Sequence, residues 1–289
     1  MREPDIEAAE KFIGAQARVL DRRRFERLFR DGPAGAVRDA VAAYRNSDCG
    51  FGHALEPDGR CPHTQPAAIA MALRTLDEAD AWDAELVAGA CGWLERNAPG
   101  EGGATFVDPG IEGWPHAPWW MPEPGLPASP VSTGQIAGVL HSRATTHPWL
   151  DRATDLMWSR VENAGPQVNA YEMFGMLAFL QHVPDVERAH KAFRSVGALL
   201  LEGGLVDLDP DAAGEVHGPL DYAPRPDSLA RELFDDAVVA AHLDRLAAAQ
   251  QDDGGWNFDF LSWSPVAQAE WRGSVTVDSL RLLRVNGRL

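Results

Sequence analysis

The sequence predicts an all-α fold of stacked helical hairpins, and three observations carry that prediction. Four stretches repeat: Asp48-Cys-Gly-Phe51, Glu101-Gly-Gly-Ala104, Glu202-Gly-Gly-Leu205 and Asp253-Gly-Gly-Trp256. Their spacings of 53, 101 and 51 residues define a recurring unit with one decayed middle copy. Each acidic residue closes an apolar-periodic run, and each Gly pair follows where a helix needs a left-handed C-terminal residue. Almost nothing alternates with period two, so essentially no sheet is expected. Hairpins joined in this way cannot bury their faces alone and must stack. A stack that curves fully closes into an α/α toroid with inner and outer helix rings, here of about five units, some incomplete.

The elements follow in order. Residues 5–30 form an amphipathic segment with Phe12, Ile13, Leu20, Phe25, Leu28 and Phe29 on one face, stopped by Asp31-Gly-Pro33. A helix near 34–46 leads to the first turn, and one near 65–79 carries Ile69, Ala72, Leu73 and Leu76. The second unit opens with 83–97, where Leu86, Ala90, Cys91 and Leu94 share a face. A Pro- and Trp-rich segment, 105–130, precedes a helix at 131–143. Next come a helix near 149–163, a degenerate turn at Asn163-Ala-Gly-Pro166 and a very apolar helix at 169–182. The fourth unit runs from a helix at 186–201 through an Asp- and Pro-rich loop at 203–227. A short helical piece at 228–234 and a helix at 235–250 follow, and after Trp256 a loop to about 270 leads into a terminal helix. No low-complexity linker interrupts the chain, so 1–289 reads as a single domain.

Composition narrows the function. A chain of 289 residues, 45% apolar, can bury a large core. A net charge of −17 argues against nucleic acid and against an anionic membrane surface, both of which need clustered Lys and Arg. Lys11 and Lys191 are the only lysines among many arginines and alanines, a GC-rich bacterial usage. The opening MREPDIEAAEKF is acidic, with no secretory h-region, and no apolar run is long enough to span a bilayer. With three cysteines a disulfide framework is not expected. The expectation is a cytoplasmic protein without a membrane span or a nucleic-acid partner.

Gln250-Gln-Asp-Asp-Gly254-Gly-Trp256 matches the spacing Q-x-x-x-G-x-W, and Asn46-Ser-Asp-Cys-Gly-Phe51 is a weaker copy. The first string resembles the repeat signature (QW motif) of the squalene–hopene and oxidosqualene cyclases. The unit period and layout resemble the terpenoid cyclase and protein prenyltransferase superfamily along most of the chain, as in a bacterial prenyltransferase-like member. The resemblance implies an α/α toroid whose inner helices surround a central cavity, and a small hydrophobic substrate of isoprenoid type. It also implies a structural role for Gln250 and Trp256, tying neighbouring helices.

Two catalytic signatures of that superfamily are absent. The D-x-D-D proton-donor motif has only Leu233-Phe-Asp-Asp236 and the loop string Asp207-Leu-Asp-Pro-Asp211 as partial counterparts. Asp235 would match the donor, but its helix leads into a repeat turn and so belongs to the outer ring. The zinc site of the prenyltransferases needs a cysteine in the later repeats, and all three cysteines precede residue 92.

Chemistry is therefore sought in the loops. His53, Glu56, Asp58, Arg60 and His63 lie in eleven residues before a helix; they suit an acid–base pair or, equally, helix capping and loop ion pairs. Cys49, His53, Cys61 and His63 lack the short Cys pair of structural zinc sites, so no metal site is assigned. Trp114, His116, Trp119 and Trp120, flanked by Glu112 and Glu123, offer aromatic faces that stabilise cations, bind sugars or plug the fold. The Asp207–Asp227 loop holds Asp209, Asp211, His217, Asp221 and Tyr222, a solvated acidic loop or a site for Mg²⁺ or a proton donor. Trp263 and Trp271 flank the last helix, and Tyr171, Glu172 and Phe174 sit on the helix at 169–182.

The expected catalytic residues are Glu56, Asp58, His53, Asp209 and Asp211. The expected substrate contacts are Arg60, His63, Trp114, His116, Trp119, Trp120, Tyr171, Tyr222, Trp263 and Trp271. No resident cofactor is required. The leading function is a terpene-cyclase-like or prenyltransferase-like protein. Its competitors are a carbohydrate-active hydrolase or lyase on the same architecture, and a binding or scaffold protein that has lost the acid motif.

Overall fold

A computed structural model describes residues 3–289. Among them are twelve α-helices, two 3-10 turns and no β-strand, with isolated bridges only at Arg45–Phe51 and Gly59–His116. The all-α helical-repeat expectation holds. Chain contacts group the residues into two compact units, Val37–Gly203 and a discontinuous one made of Met1–Ala36 with Gly204–Leu289.

The amphipathic segment at 5–30 is two helices, α1 (Ile6–Gln16) and α2 (Val19–Phe29). The break falls at Ala17 and Arg18, both with ψ of 158°. There Ala17 lies so close to Gly273 that a Cβ on that glycine would be 2.9 Å from the Ala17 Cβ. α3 (Ala34–Ala42) ends earlier than its periodicity suggests, because the chain turns back to bridge Arg45 with Phe51.

The next six helices are α4 (Pro66–Glu78), α5 (Ala84–Asn97), α6 (Pro130–Ser142), α7 (Pro148–Glu162), α8 (Ala170–His182) and α9 (Val186–Glu202). Their starts follow local rules. Asp83, Ser129, His147, Asn169 and Asp185 each accept a backbone N–H of the first turn, and proline opens α4, α6 and α7. The chain then forms α10 (Pro219–Tyr222), α11 (Asp236–Ala248) and α12 (Pro265–Val285). α12 begins earlier than the expected 270, because Ser264 caps it and Pro265 supplies its first residue.

Within Val37–Gly203 the helices form two rows. α4, α6 and α8 pack in succession, α5, α7 and α9 form the other row, and each hairpin links the two. The first row is apolar nearly all round: α8 buries Met173, Gly175, Met176, Leu177, Phe179 and Leu180. α9 buries a single stripe of Ala189, Phe193, Val196, Gly197 and Leu200, as a helix with one wet face does. α6 and α8 meet backbone to backbone. A Cβ on Gly134 or Gly175 would strike the carbonyl of Gly175 or Pro130, and one on Gly138 would strike that of Ala178.

In the other unit α12 packs against α1, α2 and α11. A buried charge cluster joins two of these helices. Asp21 accepts from Arg18 at 2.9 Å and Arg24 at 3.3 Å, while Arg24 reaches Ser274 at 3.2 Å and Asp278. Asp21 and Arg24 are almost fully buried, so neither charge can be removed without stranding its partner.

Two outcomes are expected. Gly138→Val forces α6 off α8 and costs about 3 kcal/mol or more, read as a fall in thermal midpoint with little change in helicity. His141, on α6, donates Nε2–H to the Thr154 hydroxyl at 2.9 Å, and burial pulls its imidazole below the ordinary range, helped by His182 and opposed by Asp151. Folding therefore favours the neutral ring. Its contribution is complete above the ordinary imidazole value of about 6.5 and is lost as pH falls through that value toward the depressed one. Thermal melts between pH 7.5 and 5 should show this loss, and His141→Gln should flatten it.

Candidate functional site

The loops that carry reactive side chains are held by the repeat turns. Left-handed backbone closes them at Cys49 (φ 72°), Gly102 and Gly103 (89° and 74°), Gly204 (65°) and Gly254 (93°). Gly203 instead stays right-handed, and the decayed turn at Asn163–Pro166 has no left-handed residue. Only Glu202 closes its helix as expected; α5 and α11 stop several residues before Glu101 and Asp253. The carboxylates act inside the turns. Asp48 accepts from Gly50 N at 2.9 Å, Thr64 at 2.8 Å and the Trp93 indole at 3.1 Å. Glu101 accepts from Ala128 N at 2.9 Å and Arg160 at 3.0 Å, and Asp253 takes both Arg272 nitrogens at 2.9 and 3.0 Å.

The residue after a Gly pair is then fastened to a helix hydroxyl. Ala104 N donates to Thr133 on α6 at 2.9 Å, and Trp256 N to Thr276 on α12 at 3.0 Å. Gln250 brackets the last turn by accepting from Asp5 N and donating to the Asp5 and Gly254 carbonyls. The Trp256 indole donates to the Leu246 carbonyl of α11. Both residues are buried structural ties.

In the Val37–Gly203 unit the first two candidate segments lie against each other. Arg60 N donates to the Pro115 carbonyl at 2.8 Å, Ala117 N to the Asp58 carbonyl at 2.7 Å, and Gly59 bridges His116. Gly59 is required here because a Cβ would come within 2.7 Å of the Trp120 ring. Asp58 is buried, and its Oδ2 accepts the Trp119 indole N–H at 3.1 Å. Glu56 accepts from Asp58 N at 2.9 Å. His53 and Ala54 are both left-handed, with His53 N bonded to the Cys61 carbonyl. His63 packs edge-on to Trp114, and His116 Nδ1 donates to the Trp114 carbonyl at 2.7 Å.

Trp120 is buried against Phe106, whereas Trp114 and Trp119 remain 43% and 37% exposed. The loop pair therefore presents two indoles fixed from behind, one of them by a carboxylate. Gln65 holds the segment from α4, exchanging two hydrogen bonds with the Asp108 backbone. Tyr171 stands exposed on α8 against Phe174.

In the other unit the acidic loop is folded on itself. Asp207 accepts from Asp209 N and Asp209 from Asp211 N, at 2.9 and 3.0 Å, and Asp211 pairs with Arg245 of α11. The Tyr222 hydroxyl donates to the Leu205 carbonyl at 2.6 Å. Asp221, at the exposed surface, accepts from Gly218 N at 2.8 Å and caps the short helix α10. His242 was not legible as a site residue, because it sits on the amphipathic helix α11 and nothing local marks its approach to Gly218. Trp271 meets Phe260 edge-on at 5.3 Å, Phe260 stacks on Phe258, and Trp263 is half-buried nearby in sequence. Among the described residues no three His, Cys, Asp or Glu side chains gather as a metal-binding set.

The chain matches no family model and no curated protein. It is similar to a crystal structure of a protein from Actinoplanes, with a TM-score of 0.59 and 14% identity over 99% of this chain and 92% of that one. Likeness at that identity speaks for the fold alone.

Cys49 fills a glycine slot at φ 72° and keeps partial exposure, whereas Cys61 and Cys91 are buried and burial pushes the Cys91 thiol up to about 11. A maleimide should label Cys49 alone in the folded protein, counted by mass spectrometry, with the other two reacting only in denaturant. Cys49→Gly should keep the thermal midpoint, while the β-branched Cys49→Val should cost about 1–2 kcal/mol.

Proposed function

We propose that this chain is an enzyme of the cyclase or prenyl-transfer type acting on a small hydrophobic, isoprenoid-like substrate in the cytoplasm. The observation that carries the reading is the loop pair of the Val37–Gly203 unit, which holds the Trp114 and Trp119 indoles partly open while Asp58 grips Trp119. Aromatic faces attract developing positive charge, and a carboxylate on the indole N–H enriches the ring that does so. Asp58 is in this reading a positioning residue for Trp119, and Glu56 positions Asp58 through its backbone N–H.

The Q-x-x-x-G-x-W turn at Gln250–Trp256 supports the same reading, since Gln250 ties the turn to the Asp5 backbone ahead of α1. Among the described residues no helix is long and apolar enough to cross a membrane. A net charge of −17 disfavours polyanionic partners such as nucleic acid.

The reading is tested by incubating the protein with linear isoprenoid alcohols and diphosphates and analysing products by gas chromatography and mass spectrometry. Turnover should fall about tenfold in Trp119→Ala, the value of one cation–π contact of roughly 1.4 kcal/mol. Neither binding nor turnover by the wild-type protein would sink it. Cleavage of an oligosaccharide would move the same platform to sugar stacking.

A further inference from the structure

Helix α12 stops in a turn that dictates the two residues closing it, Asn286 and Gly287. Gly287 stands at φ 69°, with its N–H on the Arg284 carbonyl at 3.1 Å, and Arg288 N reaches the Leu283 carbonyl at 2.8 Å. That pair of bonds needs left-handed backbone at position 287, which glycine adopts without strain. Asn286, half-buried just before it, works through its side chain. Its Nδ2 donates to the Pro224 carbonyl at 2.8 Å and to the Leu282 carbonyl at 2.9 Å. Its Oδ1 accepts from Arg231 Nη1 at 3.3 Å. A neutral carboxamide suits this setting, with two donors for two carbonyls and an acceptor for a guanidinium. Asn286 thereby ties the segment that follows α10 to the end of α12.

The same turn is chemically labile. Of the six asparagines, Asn286 alone precedes glycine; the others precede Ser47, Ala98, Ala164, Ala170 and Phe258. A glycine nitrogen has no neighbouring Cβ to hinder its approach to the asparagine Cγ. In the closed turn that approach is blocked, because the Gly287 N–H is held by Arg284 and the carboxamide by Pro224 and Leu282. Helix ends fray, however, and Val285, Gly287 and Leu289 are exposed here, so opening one turn frees both groups.

We propose that Asn286–Gly287 is a self-modification site, whose deamidation releases the Pro224 segment from α12. The Gly287 nitrogen bonds to the Asn286 Cγ and gives up its proton, while the Cγ–Nδ2 bond breaks and ammonia leaves. Water then opens the cyclic imide at either of its carbonyls, leaving aspartate or isoaspartate. The new carboxylate only accepts, so it faces the Pro224 and Leu282 carbonyls lone pair against lone pair while keeping Arg231. Isoaspartate also lengthens the backbone by a methylene, which shifts the bonds of the turn. Reaction in the open turn thus gives a product that disfavours the closed one, and the release does not reverse. The inference does not rest on the aromatic platform and needs neither Trp114 nor Trp119.

The full-length chain is held for weeks in mildly alkaline buffer at physiological temperature, and its peptides are mapped by mass spectrometry. Asn286 should be the first of the six asparagines to convert. Aspartate and isoaspartate should both appear, and urea below the unfolding transition should speed the conversion. Hydrogen exchange on the converted protein should lose protection at Ala223, Arg225 and Ser228, whose amides bond to Pro219, Ser228 and Arg225. Asn286→Asp should reproduce that loss and lower the thermal midpoint by about 2–4 °C, the shift for one hydrogen bond. Gly287→Asn, whose side chain tolerates left-handed backbone, should keep the turn and slow conversion at Asn286. Conversion of another asparagine ahead of Asn286 overturns the proposal, as does unchanged exchange at those three amides after conversion. Isoprenoid turnover enters none of these readouts, so a failure there leaves this proposal intact, and a failure here leaves the platform reading intact.

Discussion

The repeat turns of this chain, apart from the decayed one at Asn163–Pro166, reverse direction through backbone that L side chains avoid. At Gly102, Gly103, Gly204 and Gly254 glycine meets that constraint, and at Cys49 a small side chain tolerates it. A left-handed turn on its own is a loose hinge. The carboxylates of Asp48, Glu101 and Asp253 make it rigid, each accepting from backbone within or beyond the turn and from a side chain on another element. Thr133 and Thr276 then fix the outgoing strand of chain to a helix. The loops that leave the Asp48, Glu101 and Asp253 turns start from backbone held by those few bonds.

The loops beyond the turns divide by how fully their polar groups are satisfied. Asp58, Asp209 and Asp211 hold indole, backbone and guanidinium donors, so their first task is to keep the loops in shape. Asp221 and His242 likewise hold loop backbone, at the Gly218 N–H and the Leu208 carbonyl. In the Val37–Gly203 unit the counterpart is apolar: two indoles left open where a third, Trp120, is buried beneath Gly59. Burying Trp120 anchors the segment that leaves Trp119 at the surface.

Much of the fold was legible because its signals are local. Apolar period, capping residues and prolines at helix starts are interactions across three or four residues, and the elements from α4 to α9 lie within a few residues of their expected limits. The division of residues 5–30 into α1 and α2 was not legible, since the break at Ala17 answers to Gly273 far along the chain. The small residues of α6 and α8 were visible, but their use as a backbone contact was not, because a glycine's neighbour is not written beside it.

By itself the sequence determined that this is an all-α chain of repeating hairpins and where the glycine turns lie. Those properties depend on side-chain period, backbone stereochemistry and short-range hydrogen bonds, which act between near neighbours. Only the tertiary structure decided which loop residues meet. It set Asp58 on Trp119, Gly59 under Trp120 and His242 against Gly218. Such pairings join segments far apart in the chain, and their geometry comes from how whole helices pack, which no local pattern encodes.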